Sequence, residues 1–231
     1  MARRIVIASN NPHKITELQQ MLARGQFSAV RKLEVVSASA LGLGTPPEID
    51  ETSLEFVGNA VLKAEGIAAW LRSVGAPSDD LVLADDSGIC VDALDGAPGV
   101  HSARFAGYHA DDDANNAKLI AEMEARGLSS SPAKYVCVLA VRHVGARMFD
   151  FTMPDAGTVF MRDGCLCIEG RCRGNVRVER RGTGGFGYDP HFWIDGDTRT
   201  FAELSPTEKS QRSHRGAAMR MLVDELPLLL Q

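Results

Sequence analysis

The chain opens strand, loop, helix. The run "RIVIA" (Arg4–Ala8) is short and β-branched, which fits a buried strand. In the "SNNP" that follows, Asn11 can cap a helix and Pro12 suits its first position. Ile15, Leu18 and Leu22 recur at i, i+3 and i+7, the apolar stripe of a helix that should stop near Gly25. A strand that feeds straight into an amphipathic helix belongs to an α/β fold.

The pattern persists. Residues 33–50 are mixed, and "TPPEID" breaks them. Thr52 and Glu55 match a capping box, and Val57, Val61, Ala64, Ala68 and Leu71 share one face of a second helix. Glu55, Asn59 and Lys63 line up as a polar stripe, read either as a solvated face or as functional groups. Gly58 and Gly66 each cost that helix about 1 kcal/mol relative to Ala, and close packing against another backbone would account for them. "LVLA" (Leu81–Ala84) reads as a strand ending at Asp85-Asp86, and Asp111–Gly127 as a helix with acids at its start. Tyr135–His143 and Arg147–Met153 read as a hairpin around "VGA", and His191–Ile194 as a further strand. Ser205, Pro206 and Glu208 open a last helix that runs toward Pro227. The fold class is therefore α/β, with a block of antiparallel strands in the second half.

Composition excludes several roles. A net charge of −5 gives no basic surface for nucleic acid. No apolar run reaches the roughly 18 residues that span a membrane, and the N-terminus has no long apolar core of a signal peptide. Five cysteines, unevenly spread, do not form a disulfide framework, so the cytoplasm is the expected compartment. Cys165, Cys167 and Cys172 ("CLCIEGRC") lack a fourth ligand for zinc and read as buried thiols near a hairpin.

Four segments carry unusual chemistry. "SNNPHK" (Ser9–Lys14) puts a helix start, with its amides and dipole, beside a lysine, a setting that favours an anion; a merely capped helix is the alternative. Asp85-Asp86 places like charges after an apolar run, which demands a cation or donors unless the pair is a solvated turn. A hard ion such as Mg2+ would serve, with Asp50-Glu51 as a source of further oxygens. "GTGGFGYDP" (Gly182–Pro190) frames Phe186, Tyr188 and Asp189 with glycines, so that an aromatic ring can meet a flat base; a hairpin loop is the alternative. Lys209, Arg212, His214 and Arg215 cluster on the last helix. An anion, a metal and a planar ring together describe a nucleotide with its phosphates.

These segments, in this order and nearly end to end (residues 4 to 224), resemble the inosine triphosphate pyrophosphatase family. The carrying stretches are "IVIASNNPHKITEL", "ETSLEFVGNAVLKA", "LADDSGICVDALDGAPGVHSARFAG", "GTGGFGYDPHF" and "FAELSPTEKSQRSHRGAAM". The resemblance implies an elongated mixed sheet flanked by helices, a single domain of two lobes with a central cleft over residues 1–231, and a homodimer. It implies Mg2+-dependent hydrolysis of ITP, dITP and XTP to the monophosphate and pyrophosphate. A related pyrophosphatase for other modified nucleotides, or a binding module without hydrolysis, is the alternative.

Carried across, the resemblance makes Asp86 the catalytic acid and a metal ligand. Glu51 is then a metal ligand, with Asp50 a substitute, and Asp85 supports Asp86. Ser9, Asn10, Asn11, Pro12, His13 and Lys14 become the phosphate segment, and Ser87 a substrate contact. Phe186, Gly187, Tyr188 and Asp189 form the base loop, with Lys209, His214 and Arg215 as further contacts. Gly58 departs from the family, which usually has Glu before "NA", and His101 stands where Tyr is usual. Phe160–Arg181 is longer than the corresponding family stretch.

Overall fold

β3 (Leu81–Val91) is the longest departure from expectation: the strand does not end at the acid pair but continues through it. A computed structural model describes residues 3–9, 11–24, 33–107, 111–145, 149 and 157–230. The described elements before β3 are β1 (Arg4–Ala8), α1 (Pro12–Arg24), β2 (Glu34–Ser37) and α2 (Phe56–Ser73). After it come α3 (Asp112–Ala125), β4 (Ser130–His143), β5 (Val159–Arg162), β6 (Cys165–Arg177), β7 (Phe192–Ile194), α4 (Pro206–Arg212) and α5 (His214–Leu229). The seven strands form one sheet in the order β2-β1-β3-β4-β6-β5, with β7 pairing β6. β1 is parallel to β2 and β3, whereas β5 and β7 are antiparallel to β6. The mixed α/β class and the antiparallel second half are as expected.

The chain divides into two compact units: Met1–Asp86 with Val138–Gly170 and Ala218–Gln231, and Ser87–Cys137 with Arg171–Ala217. The first has a β1–β3 core in which Ile5, Val6, Leu81 and Leu83 are buried, as are Leu18 and Leu22 of α1. On α2 the expected face holds for Val61, Ala64, Ala68 and Leu71, while Val57 is half-buried. The second unit has a core rich in aromatics, where Tyr135 lies edge-on to Phe192 at 4.7 Å and Phe192 lies 5.0 Å from Phe201.

Several local readings change. α2 starts at Phe56 with Glu55 as its N-cap and no side-chain cap bond, so Thr52 and Glu55 form no capping box. Ser53 takes over that turn, its Oγ accepting from the Glu55 amide. Gly66 admits the Ile49 side chain and Gly58 that of Ser53, so both glycines make room for side chains rather than for backbone. The last helix is two: Ser213 leaves the helical region at ψ 159, and its Oγ accepts the Gly216 amide to start α5, which runs past Pro227 to Leu229. Of the Arg147–Met153 strand only Phe149 is described, and the Gly25 stop lies outside the described residues. Cys165, Cys167 and Cys172 are buried on β6, and burial pushes the Cys167 thiol up to about 12 and the Cys172 thiol up to about 11. Thiols held protonated in this way are poor metal ligands and nucleophiles.

Candidate active site

The acid pair avoids self-repulsion through the pleat. Successive side chains of a strand point to opposite faces, so Asp85 and Asp86 meet different helices. Asp85 Oδ1 lies 2.5 Å from Lys14 Nζ of α1, and its side chain is wholly buried. Asp86 turns to α2, where Lys63 Nζ donates to Oδ1 at 3.0 Å and Asn59 Nδ2 to Oδ2 at 3.3 Å. Both carboxylates are thus buried within a strand, and a solvated Asp-Ser-Gly turn is ruled out.

Lys63 also donates to Glu51 Oε1 at 3.2 Å, so one ammonium holds the two acids that the metal reading paired. Asn59 is fully buried and accepts the Ser53 amide on Oδ1 at 2.9 Å, which ties the segment carrying Glu51 to the helix carrying Lys63. The polar stripe of α2 is therefore split: Asn59 and Lys63 serve the acids, and only Glu55 is exposed. The i, i+4 spacing was the signal for these two residues, but it could not separate them from a solvated face. Asp50 does not join the group. It is exposed while its neighbours Ile49 and Glu51 are half-buried, and no cluster of three acids, histidines or cysteines forms among the described residues.

The charges tune one another. Burial raises the Asp86 carboxyl above the ordinary aspartate range; Lys63 and Lys14 offset this in part, and Glu51 adds to it. The leading cause of the rise is burial, not the neighbouring Asp85. For Lys63, burial acts to lower the pKa, yet the charges of Asp86, Glu51 and Asp85 outweigh it and raise it. Two carboxylates sharing a single cation are hard oxygen donors of the kind Mg2+ takes alongside water and phosphate oxygens, so the residues fit that ion.

The helix start behaves differently from expectation. Asn11 Oδ1 accepts the His13 and Lys14 amides at 2.9 and 3.2 Å, and Pro12 has none to offer. The Asn11 amide itself donates to Ser9 Oγ at 3.2 Å. The first-turn amides are thus engaged by the cap, and the cationic group there is Lys14. Asn10 lies outside the described residues.

In the second unit the glycine loop is built around Asp189. Its buried Oδ2 accepts the Phe186 amide at 3.0 Å and Lys209 Nζ at 2.6 Å. At Gly185, φ is +74° and an added Cβ would stand 2.0 Å from Asp189 Oδ2, so only glycine fits. Tyr188 is buried and its hydroxyl donates to the Ser102 carbonyl, which makes it an anchor of the loop. Phe186 stays half-buried, with Lys209 Nζ 4.6 Å and the Arg215 guanidinium 5.8 Å from its ring centre. Arg215, almost fully buried, donates to Ser87 Oγ at 3.0 Å. His214 is stacked flat on Tyr135 at 4.6 Å, in the core. Gly187 is held on both sides: its amide donates to Asp112 Oδ2 at 2.6 Å, and its carbonyl accepts from Asn116 Nδ2 at 2.9 Å.

With this geometry in view, likeness to known proteins is specific. The Ham1 family model matches residues 5–225. A dITP/XTP pyrophosphatase of Methylococcus capsulatus is 40% identical over 99% of this chain and 98% of its own length. Another of that name, from Ralstonia nicotianae, is 43% identical over 98% of both. Among solved structures, a HAM1 protein from Coxiella burnetii superposes with a TM-score of 0.75 at 33% identity, covering 97% of this chain and 98% of that one. The Staphylococcus aureus Ham1 protein gives a TM-score of 0.72 at 32% identity with the same coverage. Matched along its whole length in sequence and in fold, the chain belongs to the Ham1 family.

Proposed function

We propose that this chain hydrolyses deaminated purine nucleoside triphosphates (ITP, dITP, XTP and dXTP) to the monophosphate and pyrophosphate, removing them from the nucleotide pool. The observation that carries this reading is Asp86: a buried carboxylate, raised in pKa, that shares Lys63 with Glu51. It is supported by full-length likeness to relatives named dITP/XTP pyrophosphatase. Asp86 accepts the proton of the attacking water, since Asp85 is sealed against Lys14 and Asp86 is the member aimed at a second acid. Lys63 and Asn59 fix the direction of its oxygens. Lys14 supplies positive charge to the triphosphate. Glu51 and Asp86, with Asp50 as a substitute, would hold Mg2+, which when bound neutralises charge developing on the phosphate oxygens.

Base choice rests on Phe186, which offers a face for stacking, and on donors. A 6-oxo purine presents an acceptor that Arg215 or a loop amide can satisfy, whereas the 6-amino group of adenine would leave such a donor unpaired. The reading extends to one pyrophosphatase domain of two lobes over residues 1–231, acting as a cytoplasmic homodimer, for which the support is the family resemblance. No described helix is long and apolar enough to cross a membrane. Pyrophosphate release from dITP, XTP, dATP and dGTP, with Mg2+ and with EDTA, tests the proposal. Metal-dependent turnover of dITP and XTP far above that of dATP and dGTP is expected. Equal turnover of dATP, or none of dITP and XTP, would sink it, and light scattering would check the dimer.

A further inference from the structure

Three acids open α3, and the structure gives each a different task. Asp111 is the N-cap, its side chain accepting the Ala114 amide at 2.7 Å. Asp113 is exposed and lies 3.4 Å from Arg180. Asp112 contributes nothing to the cap and instead reaches a residue distant in sequence, the Gly187 amide. One turn on, the buried Asn116 donates from Nδ2 to the carbonyls of both Asp112 and Gly187, at 2.7 and 2.9 Å. Both polar groups of the Gly187 peptide are therefore held by α3.

Gly187 is where the loop most needs holding. Its φ is +63°, and apart from its chain neighbours no atom lies within 4 Å of an added Cβ, so that side of the residue is open. Together with Gly185 it flanks Phe186, and glycine carries the largest backbone freedom to be lost. The other anchors act on other residues: Tyr188 through Ser102, and Asp189 through Lys209. We infer that Asp112 and Asn116 are positioning residues that set the orientation of the Phe186–Asp189 loop, and through it the affinity for the base and the choice among bases. Neither residue needs to touch the substrate. The inference rests on the nucleotide reading above.

The test compares the full-length wild type with Asp112→Ala, Asp112→Asn, Asn116→Leu and Asp113→Ala, measuring kcat and KM for dITP and dGTP alongside a thermal melt. For Asp112→Ala and Asn116→Leu, KM for dITP should rise about tenfold, the size expected for losing one charged or buried hydrogen bond, with kcat within about threefold. The ratio of kcat/KM for dITP over dGTP should shrink at least about fivefold, because a loosened loop no longer penalises the wrong base. Asp112→Asn keeps an oxygen to accept the Gly187 amide and should lie between, while Asp113→Ala should stay within about twofold of wild type. If Asp112→Ala melts far below wild type, Asn116→Leu decides by the same readings. KM and selectivity unchanged in Asn116→Leu and Asp112→Asn, or an equal loss in Asp113→Ala, would overturn the clamp. A wild type inactive on dITP would instead overturn the functional reading beneath it.

Discussion

Asp189 of the second unit and Asp86 of the first are buried aspartates held in opposite ways. In the second, Asp189 meets Lys209 at 2.6 Å and the Phe186 amide at 3.0 Å, and the pair is neutral within a loop that it braces. In the first, Asp85 meets Lys14, while Asp86 and Glu51 share Lys63. A balanced buried pair is a structural part: its charges answer each other and its geometry is fixed. Two acids that share one ammonium are held differently, because each raises the affinity of the other for a proton or a cation. The same residue type thus braces a loop in one unit and shares its cation with a second acid in the other, and that second acid makes the difference.

The largest break in that comparison should come from Asp86→Asn. It keeps the size of the side chain and removes the proton acceptor, so pyrophosphate release should fall about a thousandfold or more while the circular dichroism spectrum is retained. Near-normal turnover would remove Asp86 from the chemistry. Lys209→Met should act chiefly on stability. It leaves the Asp189 charge buried without its cation, at a cost of about 3–5 kcal/mol, readable as a lower midpoint in urea. A midpoint equal to wild type would show that Asp189 is not the brace described.

The pH profile sharpens the contrast. Asp86 must be ionised to take a proton, so activity should fall with decreasing pH through a pKa above the ordinary aspartate value of about 3.9. Lys63 is the strongest influence that lowers the Asp86 pKa, so Lys63→Met should move this acid limb to higher pH. Lys209→Met should leave the limb where it is. For folding the sign is the reverse of a typical salt-bridged acid. The folded state binds the Asp86 proton more tightly than the unfolded chain, so this group's contribution to stability falls as pH rises from the unfolded to the folded pKa. An acid limb that stays in place in Lys63→Met would mean that another group sets it.

The smallest effect is expected at Gly58. Alanine there gains about 1 kcal/mol of helix propensity, but its Cβ would stand 2.1 Å from Ser53 Oγ, which must rotate away. Stability should change by no more than about 1 kcal/mol, while kcat drops a few-fold as the Ser53–Asn59–Asp86 line is disturbed. A variant with unchanged kcat would show that this line does not orient Asp86.

Much of this was legible in the residues. β1 spans the expected Arg4–Ala8, Asn11 caps α1, and Ser205 with Glu208 caps α4 in the reciprocal arrangement anticipated. These features are local: a branched run, a capping side chain and a proline act within a few residues of themselves. The break at Ser213 was missed for a related reason. A second cap inside a strong helical pattern shows only when the backbone turns to use it. Asp50 entered the metal set because it is adjacent to Glu51 in sequence; in the fold it is exposed, while its neighbour Ile49 fills the space beside Gly66.

The sequence by itself determined the element order, the caps and the presence of an acid pair after an apolar run. It also carried the family, since five spaced segments are linear information. Only the tertiary structure decided which carboxylate meets which lysine, and that α3 grips the Phe186–Asp189 loop across 75 residues of chain. Those outcomes depend on contacts between residues distant in the chain, where burial raises the energy of every unpaired charge and amide. The partner that answers each one is chosen by packing, which no local pattern encodes.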